Sequence, residues 1–384
     1  MPEREDRRRG MMIMDKTALI ENACKDLATY GVWDGRTRLK RGIKKYILRR
    51  ETTVEDLIFW PTGLLAHGLW QYRTRLRARA QKNEEVTDRT ADSVEEALAA
   101  YLARWHKKGM PVCFLDDLLT GETILSAYEE ARRQSADDGW LEQETCVGFT
   151  GRQCAAALEK FAAYVDQYPQ NETGSFPYRA GQENGYVFAD GIGLACPFLY
   201  RYGMVFERQE YMELAVRQVV NFLAYGMDTA TGLPYHGYDM TDGCKYGIIG
   251  WGRAAGWLLR GMTACLQSEY GRERLTEPYG ELVHAVLSYQ RRDGYFSWQL
   301  QAVDGPADTS ATGMICAALK QGIEQGLLTP DAGAEALQAG RNAIERAVKD
   351  GRVYQCSGEC LGFSQYPQQY GAYPWALGPA IEVL

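Results

Sequence analysis

Six short stretches of this 384-residue chain repeat one design. Each is an apolar run built around a glycine, with charged, hydroxyl or aromatic side chains just before it. They span 59–71 around Gly63, 114–128 around Gly121, 187–203 around Gly193, 250–266 around Gly256, 308–323 around Gly313 and 373–384 around Gly378. The glycines are 58, 72, 63, 57 and 65 residues apart. That interval holds two helices and their connections, so the register predicts six helical hairpins. Segments such as GLLAHGL, GWLLRGMTACL and GMICAAL are small and apolar on most sides, as helices buried all round must be. Amphipathic runs alternate with them. Residues 93–102 carry the capping box Ser93-Val-Glu-Glu96 followed by Leu98, Tyr101 and Leu102 on one face. Thr329-Pro330 starts another such helix. Six inner and six outer helices make an all-α (α/α)6 barrel, a six-hairpin toroid, the economical fold. Period-2 alternation is scarce, so little β structure is expected.

The charge balance bounds the partners. A net charge of -7 argues against nucleic acid as a general partner. No apolar stretch approaches the roughly 18 residues that a membrane span needs. The start, MPEREDRRRGMMIMDK, has basic residues but neither a following apolar core nor a cleavage site. Residues 1–14 are expected as a loose charged tail and 15–384 as one catalytic domain. The ten cysteines sit singly, as reduced core residues would. A cytoplasmic protein, monomer or homodimer, is the expectation. No two of the four histidines have metal-ligand spacing, and no phosphate loop or dinucleotide fingerprint is present, so no metal and no cofactor are expected.

If the six inner helices start at one end, their polar heads meet in one bowl. Asp190 heads the third, where the helix dipole favours a carboxylate. Taken alone it reads equally well as an N-cap. Asp116 and Asp117 hold the matching place in the second, and Arg253 in the fourth. Converging acids can raise one pKa and make a proton donor. His236 lies in a loop shortly before the Trp251-Gly-Arg253 helix start. The chain has 24 Tyr and 9 Trp. Trp60, Tyr235, Trp251, Trp257 and Trp298 cluster at segment heads, and such flat rings with polar tips suit sugars. Each one singly reads better as a core residue. Arg253 between two tryptophans could grip a carboxylate bidentately.

Several motifs together resemble the unsaturated glucuronyl/rhamnogalacturonyl hydrolases, glycoside hydrolase family 105 and its relative family 88. Phe114-Leu-Asp116-Asp-Leu-Leu-Thr-Gly121 is similar to the family's first-aspartate helix. Phe188-Ala-Asp190-Gly-Ile-Gly-Leu-Ala-Cys-Pro-Phe198 is similar to W-x-D-G-x-Y-M-x-x-P-F. Gly232-Leu-Pro-Tyr-His236-Gly-Tyr-Asp239 resembles G-L-x-Y-H-x-W-D, and Trp251-Gly-Arg253-Ala-Ala-Gly-Trp257 resembles W-A-R-x-x-G-W. Asp308-Thr-Ser310-Ala-Thr-Gly313-Met resembles the E-S-S-G-x-x-M helix. The likeness covers nearly all of 55–384.

The resemblance implies an (α/α)6 barrel acting on a C4=C5 unsaturated uronic acid at the non-reducing end of lyase-made oligosaccharides. The implied reaction is hydration of the vinyl ether. Asp190 would protonate C4 and then draw a proton from the water adding at C5; the hemiketal would open and release the partner sugar. Asp116 would hold substrate hydroxyls and help keep Asp190 protonated. His236, Arg253, Trp251 and Trp257 would bind the uronate, with Trp60, Tyr235, Ser310 and Trp298 around it. The chain departs from the pattern with Phe188 for tryptophan, with Tyr178-Arg179 where a histidine often lies, and with Tyr370-Gly-Ala-Tyr-Pro-Trp-Ala-Leu-Gly378 near the end. The alternatives are another (α/α)6 sugar enzyme (a lyase, an epimerase or an ordinary glycosidase) or a non-catalytic sugar-binding protein. An epimerase would want paired catalytic histidines.

Overall fold

A computed structural model describes residues 2–30, 57–82, 88–135, 138–181 and 185–384. Six inner helices form a closed ring: α2 (Trp60–Gln81), α4 (Leu118–Gln134), α6 (Ala189–Val205), α8 (Gly252–Cys265), α10 (Thr309–Glu324) and α12 (Pro374–Val383). Each packs on the next, and α12 packs back on α2. Outside them lie α1 (Pro2–Thr29), α3 (Asp88–Lys107), α5 (Gly151–Asp166), α7 (Gln209–Tyr225), α9 (Glu269–Leu287) and α11 (Pro330–Ala347). The fold is an (α/α)6 barrel.

The repeat glycines explain how the ring closes. Each sits where its helix crosses the next inner helix. A Cβ on Gly193 would lie 2.5 Å from Trp257 of α8, and one on Gly378 would lie 2.3 Å from the Leu64 carbonyl of α2. Gly63, Gly121, Gly256 and Gly313 meet Leu119, Phe198, Met314 and Pro379 in the same way. Any larger side chain would push two staves apart. The inner helices are apolar where their neighbours cover them, and in α8 every residue is buried.

Two local expectations need correction. Ser93 does not start its helix: α3 begins at Asp88, and Ser93 Oγ donates to the Arg89 carbonyl at 3.0 Å within it. Residues 2–14 of the charged segment expected as a loose tail are helical, within α1. Its Glu, Arg and Met residues favour helix, and a lone Gly10 costs only about 1 kcal/mol.

A polar plug crosses the interior of the ring. His67 of α2 has Nδ1 3.5 Å from Glu122 Oε1 of α4 and Nε2 3.7 Å from Glu382 Oε2 of α12. Arg260 of α8 donates to Glu122 Oε2 at 2.5 Å and to the Gly193 carbonyl at 2.8 Å. Gln321 of α10 donates to Glu382 Oε1 at 2.7 Å. Four buried ionisable side chains thus tie together inner helices that share no sequence neighbourhood.

The strands are short. β1 (Val187–Phe188), β2 (Gly237–Asp239) and β3 (Cys244–Tyr246) form one antiparallel sheet in that order. β4 (Val348–Lys349) pairs with β5 (Arg352–Val353), and β6 (Cys356–Ser357) with β7 (Tyr370–Gly371). The first sheet places the site, because Phe188 pairs with Gly237.

Candidate active site

The pairing of β1 with β2 carries straight into α6. The Ala189 amide donates to the His236 carbonyl at 2.9 Å. Asp190 and His236 are therefore neighbours, although 46 positions separate them in the chain. His236 Nε2 lies 3.3 Å from Asp190 Oδ2, with His236 fully buried and the Asp190 side chain 15% exposed. Both atoms are buried, and neither has a hydrogen-bond partner among the described residues. Catalytic hydrogen bonds are often long or misaligned before a ligand binds. The other imidazole nitrogen, Nδ1, is 2.8 Å from the Tyr366 hydroxyl. Rings of Phe188, Trp251 and Phe363 pack around the imidazole at 4.7, 4.4 and 5.3 Å.

Asp116 and Asp117 occupy one 3-10 turn, Leu115–Asp117, just before α4. Their roles separate. Asp117 Oδ2 turns back to accept from the Cys113 and Phe114 amides at 2.7 and 3.1 Å, a structural cap. Asp116 Oδ1 faces Arg179 Nη1 at 3.7 Å. The Arg179 guanidinium lies over the rings of Phe114 and Tyr178, 4.8 and 5.0 Å from their centres. Tyr178 in turn stacks on Phe188 at 4.6 Å. Burial, with the nearby Asp116 and Asp190 carboxylates, holds the Tyr178 phenol well above its usual pKa. It therefore remains a hydrogen-bond donor beside both acids.

Arg253 was expected to grip a uronate, but the structure commits it inward. Nη1 donates to Ser357 Oγ at 2.7 Å and Ser310 Oγ at 3.3 Å, and Nη2 to the Gly358 carbonyl at 2.8 Å. Its ion-pair partner is Asp308, at 3.8 Å and fully buried. Trp251 and Trp375 cover its faces at 4.7 and 5.8 Å. Ser310 is absorbed in the same knot, since its Oγ donates to Asp308 Oδ1 at 2.6 Å. Trp60 meets Trp375 at 5.5 Å and Trp257 at 6.2 Å, an aromatic wall shared by three inner helices. Trp257 is buried against Gly193. Trp298 borders Tyr366 at 6.0 Å. Tyr235 instead has Lys245 over its ring at 5.7 Å, as the alternation of an extended segment requires of the neighbour of His236.

Sequence reasoning did not single out Tyr366, Phe363 or Ser357. They lie on the long connection 354–373, which has no period to read. Asp308 stood in a quoted motif and at a helix head, a signal sufficient to mark it. A cavity of about 880 Å³ opens elsewhere, lined by Arg73, Arg77, Glu130 and Trp140. Its most buried cation, Arg73, is paired with Glu95 and Glu130.

The sequence model of Glycosyl Hydrolase Family 88 matches residues 150–381, more than half of the chain. The chain belongs to this family. An unsaturated rhamnogalacturonyl hydrolase of Bacillus subtilis is 24% identical over 348 residues, which cover 88% of this chain and 92% of that one. Among solved structures, a possible member of the GH105 family from Klebsiella pneumoniae has a TM-score of 0.74 at 17% identity, covering 96% of this chain and 92% of its own. An unsaturated glucuronyl hydrolase from Bacillus sp. GL1 has a TM-score of 0.65 at 16% identity, covering 97% and 94%. The matched segment of this family 88 chain runs from α5 through α12. It includes Asp190, His236, Arg253 and Tyr366, whereas Asp116 lies before it.

Proposed function

We propose that this protein releases a 4,5-unsaturated uronic acid from the non-reducing end of lyase-generated oligosaccharides by hydrating the C4=C5 double bond. The observation that carries this reading is the Asp190–His236 pair. It is a carboxyl group at an inner-helix start, buried on one oxygen and partly open, in a family 88 barrel. Its chemistry suits a proton that must go out and come back. Asp190 gives its proton to C4, and the π electrons form the new C–H bond. Water adds to C5 and returns a proton to the Asp190 carboxylate. The resulting hemiketal opens and frees the partner sugar.

Asp116 and the protonated Tyr178 flank this centre and suit substrate hydroxyls. The uronate carboxylate is assigned to Arg179. Its side chain is 35% exposed, whereas that of Arg253 is 3% exposed and bound within the wall. Residues 15–384 act as one catalytic unit in this reading. That none of the ten cysteines forms a disulfide among the described residues supports a cytoplasmic setting.

The test is spectroscopic. Lyase-made disaccharides absorb in the ultraviolet through the C4=C5 chromophore. Addition of the protein should abolish that absorbance, and saturated uronides of the same size should stay intact. Equal cleavage of the saturated sugar would reject hydration and favour an ordinary glycosidase.

A further inference from the structure

The Tyr366 hydroxyl stands between two groups of opposite demand. The Ile248 amide can only donate to it, at 3.4 Å. His236 Nδ1 lies 2.8 Å away and can accept. Burial, the largest influence, raises the Tyr366 pKa, with the charges of Cys360 and Asp190 adding to it. The phenol thus keeps its hydrogen and needs an acceptor. Among the described residues, Nδ1 of His236 is the acceptor within its reach.

A neutral imidazole that accepts at Nδ1 carries its hydrogen on Nε2. Nε2 is the atom that faces Asp190 Oδ2 at 3.3 Å. Oδ2 is buried without a hydrogen-bond partner among the described residues, while the Asp190 side chain keeps 15% exposure. The open part of the carboxyl is therefore the Oδ1 side. Once drawn in to hydrogen-bond geometry, an N–H on Nε2 makes Oδ2 the acceptor and leaves the carboxylic hydrogen on Oδ1.

We propose that Tyr366 is a positioning residue that fixes the tautomer of His236 and thereby decides which oxygen of Asp190 carries the transferable proton. This rests on the reading of Asp190 as the proton donor and adds to it. Oδ1 delivers the proton to C4. As the carboxylate forms, the Nε2–H···Oδ2 contact becomes charge-assisted and shortens. The water adding to C5 then reprotonates Oδ1. The imidazole neither gains nor loses a proton in the cycle. The loop 358–369 that brings Tyr366 also brings Phe363, whose ring packs on Phe188 at 4.3 Å and on His236 at 5.3 Å, so water is kept from the relay.

Nitrogen-15 spectra of histidine-labelled protein test this directly. The chain has only four histidines, and His236→Gln assigns the signal. The expected spectrum shows a bare Nδ1 and a protonated Nε2. In Tyr366→Phe, the Nδ1–H form should appear, with kcat reduced about ten-fold and KM within two-fold, as loss of one orienting hydrogen bond implies. A wild-type spectrum with hydrogen on Nδ1 or on both nitrogens overturns the proposal, whether or not the variant folds. So does a folded Tyr366→Phe with unchanged kcat. Asp190→Asn separates the two ideas. If it still hydrates the double bond, the underlying reading fails. If it is inactive while Tyr366→Phe is normal, only the role of Tyr366 fails.

Discussion

Arg253 faces Asp308 at 3.8 Å inside the wall of the bowl, and the Ser357 hydroxyl lies between them. That hydroxyl accepts from Arg253 at 2.7 Å and donates to Asp308 Oδ2 at 2.6 Å. Asp308 also caps α10 by accepting from the Ser310 amide at 2.9 Å. The knot ties the starts of α8 and α10 to β6. Removing the cation strands a fully buried carboxylate. Arg253→Ala should therefore cost about 3–5 kcal/mol of stability, the range for breaking a buried pair. Denaturant unfolding measures it, and adding Asp308→Asn should recover part of the loss. An Arg253→Ala protein of normal stability but weak substrate binding would instead make Arg253 a ligand contact.

Arg179→Ala should act on binding. Loss of one charge-assisted contact to the uronate should raise KM by about ten-fold or more, with kcat less affected. The melting temperature should hardly move, because the side chain is partly in solvent. Steady-state kinetics on an unsaturated disaccharide checks both parameters.

Asp190→Asn keeps the size of the side chain but lacks the proton to transfer. Turnover should fall by at least about 100-fold with folding retained. Stopped absorbance assays at high enzyme concentration would reveal a smaller loss, which would move the donor elsewhere.

Asp116 and Asp117 should part company under the same substitution. Asp117→Ala removes the acceptor for two amides and should cost about 1–2 kcal/mol, the scale of a lost cap. Asp116→Asn should lower activity with little effect on stability. Paired measurements of melting and turnover distinguish them.

The plug gives a pH dependence of known sign. Burial alone would raise the Glu382 pKa, but His67, then Arg260 and Gln321, outweigh it and hold the carboxyl at about 2, below its usual 4.5. Glu122 is lowered in the same sense, against its burial, by Arg260 and His67. A depressed folded pKa stabilises above the unfolded value, and that stability is lost as pH falls through the folded one. Stability should therefore drop between pH 4.5 and about 2. In Glu382→Gln this acid limb should be shallower, as urea unfolding across that range would record.

The inner ring was legible because close approach leaves a mark on sequence. Where Gly193 meets Trp257, only glycine fits, and the same constraint recurs around the ring. Asp190 and His236 could be singled out, since helix heads and loop histidines carry chemistry on their face. Arg253 is ambiguous in the sequence for a physical reason. Its local sequence shows a cation between tryptophans, and nothing there says whether its partner is a ligand or Asp308 on another helix. Tyr366 had no local signal at all. Its meaning comes from a loop laid across the bowl, and long-range placement is what a pattern of neighbours does not encode.

The glycine contacts run in one direction around the barrel, each stave leaning on its successor until α12 leans on α2. Five of these joints can form in the order in which a ribosome delivers the helices. The sixth cannot. Arg75 of α2 donates to the Glu382 carbonyl at 2.9 Å across 307 positions of chain. The first stave thus stays one-sided through nearly the whole of synthesis, with an apolar flank waiting for the last. Contacts this distant in sequence slow folding and leave such surfaces open to wrong partners. The closing joint, rather than the catalytic bowl, is where a newborn chain of this kind is most exposed to aggregation.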